Sequence, residues 1–248
     1  MEEEVVVKVE AITNLGKKRE NNEDSFFVDN KLGLFVVADG MGGHLGGEVA
    51  SDITVKVISE YVKQNISLED SKEKVFQLLM GAIYKANEEI RKRAAKNPSL
   101  TGMGTTVVVA LLRGERLYIA HVGDSRAYII KERNIEQVTE DHSVVVQLVK
   151  ANRITPEEAK THRLKHVLSQ AVGTSINLSP DIQDKELNKG EYLLLCTDGL
   201  TDMLSDEEIF SIVSKNGNHI EKSCKELVSL ANEKGGKDNI TVVLLYNS

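Results

Sequence analysis

The stretch FVVADGMGGHLGGEVASD, residues 35–52, ends an apolar run in Asp39-Gly40, adds a cluster of glycines, and passes into a helical pattern. Strand, glycine-rich turn and helix together outline a phosphate-cradling loop. The dinucleotide pattern G-x-G-x-x-G started at Gly40 fails at Leu45, where its third glycine belongs. The nucleotide P-loop fails as well, because no Gly-Lys-Ser/Thr follows. What distinguishes the stretch from a plain flexible turn is Asp39, a carboxylate standing where an apolar strand leaves the core.

Three other segments repeat that placement. LLLCTDGLTD (193–202) puts Asp198-Gly199 after an apolar strand, YIAHVGDSRAY (118–128) puts Gly123-Asp124 after another, and GGKDNITVVLLY (235–246) puts Asp238 just before one. In antiparallel pairing the start of one strand lies beside the end of its neighbour, so all four carboxylates can meet at one rim. Singly, each is an ordinary turn aspartate. Together they form a charge cluster that would take up protons unless a cation neutralised it. An all-oxygen donor set suits Mg²⁺ or Mn²⁺ rather than Zn²⁺. A glycine at 40 lets the backbone carbonyl approach such an ion, which makes the loop a wall of a metal site.

The rest of the chain supplies a scaffold for that rim. Alternation over residues 5–11, and apolar runs near 25–28 and 32–38, predict strands. Helical spacing covers 48–65 and 73–97. Residues 105–138 predict consecutive strands turning at Arg113-Gly114 and near Gly123, with connections short enough for antiparallel pairing. Residues 143–166 turn helical and polar, with proline at the first helical position of a capping-box spacing at Thr155–Glu158. Strands return at 178–187 and 191–197. A capping box at Ser205–Glu208, a helix over 220–233 and a strand over 240–246 follow. Strand blocks separated by helix pairs indicate an α+β class, antiparallel sheets covered by helices. With no repeat or linker visible, one domain over 1–248 is the simpler count.

Composition narrows the partners. The 248 residues are 41% hydrophobic and 28% charged, a globular mixture, and the net charge of −7 argues against nucleic acid as partner. Met1-Glu2-Glu3-Glu4 is acidic where a signal peptide would be basic, and no apolar run approaches ~20 residues, so a cytoplasmic protein without a membrane segment is expected. Cys196 and Cys224 are too few for a disulfide framework and fall in apolar patterns as small core residues.

Seven motifs then carry a resemblance: GKKRENNEDSF, VADGMGGHLGGEVAS, TGMGTT, HVGDSRAY, TEDHS, CTDGLTD and GGKDNITVV, in this order. In them the chain resembles, over essentially its whole length, bacterial metal-dependent protein phosphatases of the 2C family. The resemblance implies a four-layer α-β-β-α sandwich, two antiparallel sheets flanked by helix pairs. It implies hydrolysis of phosphoserine and phosphothreonine in proteins by a water bridging two metal ions, Mn²⁺ or Mg²⁺, with a third ion in bacterial members. Asp39 resembles the bridging ligand, with the Gly40 carbonyl beside it, and Asp198 and Asp238 the other direct ligands. Glu23 and Asp24 resemble holders of metal-bound water. Asp124, with Asp198, resembles the third-ion pair, and Arg19 the arginine that grips substrate phosphate. Asn239 is expected to orient the Asp238 turn.

One departure concerns the proton donor. Eukaryotic relatives carry a histidine directly after the Asp-Gly, where this chain has Met41. His44, three residues on, is the candidate catalytic acid, alongside a loop-supporting role or a metal-bound water as donor. His121 and His142 are expected to be structural. The segment 143–166 resembles a flap beside the site, and equally fits a passive surface insertion. The resemblance further implies phosphorylated proteins as substrates, an opposing Ser/Thr kinase and a monomer. The alternatives are a non-catalytic scaffold of the same family, and a metal-dependent phosphodiesterase, whose basic groove is not visible at this net charge.

Overall fold

The computed structural model describes residues 7–42, 46–174 and 176–248. Eleven strands appear among them. One sheet takes β1 (Val7–Asn14), β11 (Ile240–Asn247), β10 (Tyr192–Cys196), β7 (Arg126–Ile130) and β8 (Ile135–Gln137), in that spatial order. The other takes β2 (Asp24–Asp29), β3 (Leu34–Met41), β5 (Val107–Arg113), β6 (Arg116–Val122) and β9 (Asp181–Glu186), with the short β4 (Gly104–Thr105) paired to β3. All pairings are antiparallel.

Strand alternation sorts the apolar runs into three layers of core. Phe35, Val37, Val108, Ala110, Leu193, Leu195, Val243 and Leu245 point between the sheets. Their neighbours Val36, Val109 and Leu111 point outward beneath α1 (Gly46–Asn65) and α2 (Lys72–Lys96). On the opposite side Leu194, Cys196, Val242 and Leu244 pack under α6 (Asp206–Asn216) and α7 (Ile220–Glu233). Burial on both faces is why these strands are continuous apolar runs rather than alternating ones. The α-β-β-α arrangement is the one expected. Cys196 and Cys224 are buried free thiols, and no helix among the described residues is long and apolar enough to cross a membrane.

Three local expectations shift. The helix expected from residue 48 begins at Gly46, so two glycines of the supposed loop form its first turn. The strand expected from 178 starts at Asp181, directly after Pro180, which has no N–H to give a ladder. The helical segment 143–166 splits into α3 (Val144–Lys150) and α4 (Pro156–Thr161), because Asn152 adopts a positive φ of 52° between them. Only Val145 of α3 is buried and no residue of α4 is, so this segment lies on the surface as a capped but thinly packed excursion. Its capping box at Thr155–Glu158 forms as predicted, and so does the one at Ser205–Glu208.

Candidate metal centre

The strand-edge acids are neighbours in the structure. Asp39, near the end of β3, stands opposite Asp24 at the start of β2. Asp198 follows β10 through Thr197 and opens the one-turn helix α5 (Asp198–Thr201). Asp238 precedes β11, and Asp124 follows β6 through Gly123. Each sheet therefore brings carboxylates to the same end of the sandwich.

Their electrostatics reflect how close together they lie. Burial, then the charges of Asp24, Asp198, Asp124 and Asp238, push Asp39 well above the usual carboxylate range. Burial, then Asp124, Asp238, Asp202 and Asp24, do the same to Asp198. Asp24 is raised to about 7 and Asp124 to about 6, both chiefly by burial. Glu23 is raised by burial as well. Carboxylates so placed either hold protons or need a cation.

Two buried oxygens, Asp24 Oδ1 and Asp198 Oδ1, have no hydrogen-bond partner. Since buried polar atoms are otherwise almost always satisfied, these mark positions at which the cluster is incomplete by itself. With carboxylate and carbonyl oxygens as donors, the site suits hard dications. The residues present fit the ions that the resemblance implies.

The local folding around each acid is specific. The Asp39 N–H donates to Thr106 Oγ1 at 3.0 Å, and its carbonyl accepts from Thr106 N–H at 2.8 Å and Thr105 Oγ1 at 2.7 Å. Thr106 Oγ1 also pairs with Ser125 Oγ at 2.7 Å, which ties the Asp124 turn to the Asp39 strand. Asp24 Oδ2 accepts from Thr197 Oγ1 at 2.9 Å and Thr241 Oγ1 at 2.7 Å, so one carboxylate of the second sheet clamps two strands of the first. These hydroxyls lie inside the quoted motifs, yet the sequence assigns them no role; the only signal is a Thr or Ser close to each acid.

Both Asp-Gly pairs need glycine for close approach rather than for flexibility. A Cβ on Gly40 would lie 2.0 Å from the Gly47 carbonyl oxygen, and one on Gly199 would lie 1.9 Å from the Asn239 carbonyl oxygen. Asn239 is a clamp. Its Nδ2 donates to the Leu15 and Asn21 carbonyls, each at 3.0 Å, and its Oδ1 accepts from Glu23 N–H at 2.8 Å. The segment holding Arg19 and Glu23 is thereby fastened to the Asp238 turn, a wider role than the expected one.

Arg19 reaches the rim, donating through Nη2 to Asp238 Oδ2 at 2.6 Å and facing Glu23 Oε2 at 3.8 Å from Nη1. Its hydrogen bond to Asp238 raises its pKa further. Its side chain stays 46% exposed, so the guanidinium is open to a ligand from solvent. His44 lies outside the described residues. His121 and His142 stack with ring centroids 4.7 Å apart behind the Asp124 turn. His121 Nε2 meets the Glu140 carbonyl at 2.8 Å and His142 Nδ1 accepts from Gly123 N–H at 3.3 Å, which is the structural use expected of them.

Beside Asp124 and Asp198 opens a cavity of about 710 Å³, walled by α3, α4 and the stretch after α4 on one side and by α5 and the start of α6 on the other. The segment 143–166 thus borders the rim rather than lying elsewhere on the surface.

Comparison with known proteins points to one family. The family description "Protein phosphatase 2C" matches residues 13–240. The chain is 37% identical over 245 residues to protein phosphatase PhpP of Streptococcus pneumoniae, covering 96% of this chain and 97% of that one. It superposes on the serine/threonine phosphatase Stp1 of Staphylococcus aureus with a TM-score of 0.89 at 38% identity, covering 100% and 98% of the two chains. The catalytic domain of the phosphatase PstP, solved with two manganese ions, matches with a TM-score of 0.86 at 34% identity over 98% and 99%.

Proposed function

The chain belongs to the protein phosphatase 2C family, and on that premise we propose that it is a metal-dependent protein-serine/threonine phosphatase whose centre is the acidic rim. The observation that carries the reading is the convergence of Asp24 and Asp39 from one sheet with Asp198 and Asp238 from the other, with two buried oxygens left unpartnered. Mn²⁺ or Mg²⁺ would be held by Asp39, the Gly40 carbonyl, Asp198 and Asp238, with Glu23 and Asp24 in support, and a third ion by Asp124 with Asp198. Such ions supply the charge and the water-activating acidity that hydrolysis of a phosphate monoester demands.

The chain's own residues do the rest. Arg19 presents a planar fork matched to two non-bridging phosphate oxygens, and Asn239 holds the segment that carries it. The Thr105 and Thr106 contacts hold the Asp39 backbone still, so that no reorganisation accompanies charge development. Asp24 fixes one sheet edge against the other. The residues 143–166 border the entrance and act as a flap that contacts the phosphoprotein. His44 remains the candidate proton donor to the leaving oxygen. Protein substrates, an opposing Ser/Thr kinase, a single catalytic domain, a monomeric state and a cytoplasmic location complete the reading.

The test is release of phosphate from a phosphothreonine peptide. Activity should require Mn²⁺ or Mg²⁺ and disappear with a chelator. Metal-dependent peptide binding without phosphate release would favour the scaffold alternative, and hydrolysis of a phosphodiester in preference to the peptide would favour the other.

A further inference from the structure

Arg19 shares its loop with two further cations, Lys17 and Lys18, and the turn before β11 carries another, Lys237; all three lysines are exposed. The two turns pack backbone against backbone. Lys17 N–H donates to the Gly236 carbonyl at 2.7 Å, and a Cβ on Gly16 would lie 2.2 Å from the Asp238 carbonyl oxygen. The stem of Lys17 runs beside Gly236, whose Cβ would stand 3.2 Å from Lys17 Cγ. That of Lys237 runs beside Gly235, whose Cβ would stand 3.7 Å from Lys237 Cγ. Both stems therefore leave one rigid platform, which Asn239 also ties down through the Leu15 and Asn21 carbonyls on either side of the loop.

These lysines differ from those of the helices. On α1 and α2, Lys56 meets Asp52, Lys63 meets Asp29, Lys72 meets Asp184, and Lys85 and Lys92 meet Glu89 and Glu88. Lys17, Lys18 and Lys237 pair with no acid among the described residues, and Asp238, the carboxylate nearest in sequence to Lys237, is taken by Arg19 at 2.6 Å. The exposed acid beside them on the loop is Glu20. In a chain of net charge −7, this is a local surplus of positive charge at the edge of an acidic rim. It is too small for nucleic acid, which needs an extended basic face. It adjoins the arginine assigned to the phosphate, so the part of a substrate that reaches it is the part flanking the phosphorylated residue. In an extended peptide a side chain two places from that residue lies ~7 Å along the chain, and Lys17 is itself two residues from Arg19.

We propose that Lys17, Lys18 and Lys237 form a docking surface for acidic side chains flanking the phosphoserine or phosphothreonine, so that the preferred substrates are phosphorylated segments rich in Asp and Glu. This rests on the phosphatase reading and on Arg19 as the phosphate ligand. Exposed ion pairs are individually weak. The surface therefore acts on encounter and on KM rather than on the chemical step. Flexible four-carbon stems on a fixed platform let it accept acids at more than one position.

Three phosphothreonine peptides, identical except for Asp, Ala or Lys at two and three places on either side of the phosphothreonine, test this. With the native chain in Mn²⁺, kcat/KM should fall in the order Asp, Ala, Lys, with about tenfold between the ends, carried by KM and shrinking at high salt. The ratio of Asp-flanked to Lys-flanked peptide is then measured in a variant with Lys17→Gln, Lys18→Gln and Lys237→Gln, and in one with Lys17→Glu and Lys237→Glu. Each ratio is taken within one variant, so a general loss of activity or of folded protein cancels. The Gln variant should bring the ratio close to one, and the Glu variant should invert it. Equal ratios in the native chain and both variants, or no preference in the native chain, would overturn the docking surface and leave the phosphatase reading intact. Should no peptide release phosphate, fluorescence anisotropy of the same labelled peptides decides. Tighter binding of the Asp-flanked peptide that is lost in the Gln variant keeps the surface and drops the phosphatase reading. Binding to phosphatidylserine vesicles through the same lysines, with no peptide preference in either assay, would assign the patch to membranes and overturn the proposal.

Discussion

Asp39-Gly40 and Asp198-Gly199 are the same dipeptide after the same kind of apolar strand, yet they become different structures. The first stays within β3, and the Asp39 backbone is held by three hydrogen bonds, one donated to Thr106 Oγ1 and two accepted from Thr105 Oγ1 and Thr106 N–H. The second leaves its strand and starts α5, and Asp198 keeps a buried oxygen without a partner. Both glycines are pressed against a carbonyl, at 2.0 and 1.9 Å from where a Cβ would stand. Asp39 is thus fixed from behind and faces one way. Asp198 instead begins a helical turn, with Asp202 capping it four residues on.

The largest effect should come from the two acids themselves. Asp39→Asn and Asp198→Asn should each lower kcat on a phosphothreonine peptide by ~10³-fold or more, as expected when a preorganised charged group is lost. The pair should separate in metal counting: Asp198→Asn loses the third ion that it would share with Asp124, whereas Asp39→Asn retains it. Near-native turnover in either variant would remove that residue from the centre.

Arg19→Ala should cost ~2–4 kcal/mol of transition-state stabilisation, read as kcat/KM, with Mn²⁺ affinity close to native. A fall in metal affinity that accounts for the whole loss would make Arg19 a support for Asp238 rather than a phosphate ligand.

Gly40→Ala and Gly199→Ala should destabilise the metal-free protein by ~1–3 kcal/mol or more, because the obstructing atoms are backbone and cannot swing aside. Urea titration measures this. A tolerated Gly199→Ala beside a damaging Gly40→Ala would show that the α5 turn yields where the β3 turn does not.

The remaining effect is a pH slope. In the metal-free chain Asp24 holds its proton to about pH 7 and Asp124 to about pH 6, whereas unfolded carboxylates release theirs near ~4. The folded state binds more protons over that window, so stability is greatest below it and declines as pH rises from ~4 to ~7. Thermal melts across pH should show this decline, and saturating Mn²⁺ should flatten it at the upper end. A metal-free stability that increases over the same interval would contradict the proposed burial of the cluster.

Much of this molecule is legible in its sequence because the signals are local. Apolar runs bounded by Asp-Gly turns mark the strands; Ser205–Glu208 and Thr155–Glu158 cap their helices as their spacing demands; and antiparallel order brings strand ends to one rim whatever the packing details. What only the tertiary structure decided are contacts between residues far apart in the chain. Asp24 is joined to Thr197 and Thr241 across 173 and 217 residues, Asn239 to Leu15 across 224, and Thr106 to Ser125 between adjoining turns. A hydroxyl or an amide carries no periodicity, so its partner is set by how two sheets stack and by which buried donors remain to be satisfied. For the same reason the meeting of Lys17 with the Gly236 turn could not be read from spacing: one half belongs to the loop before β2, the other to the turn before β11, and they are joined through backbone groups that every residue type carries.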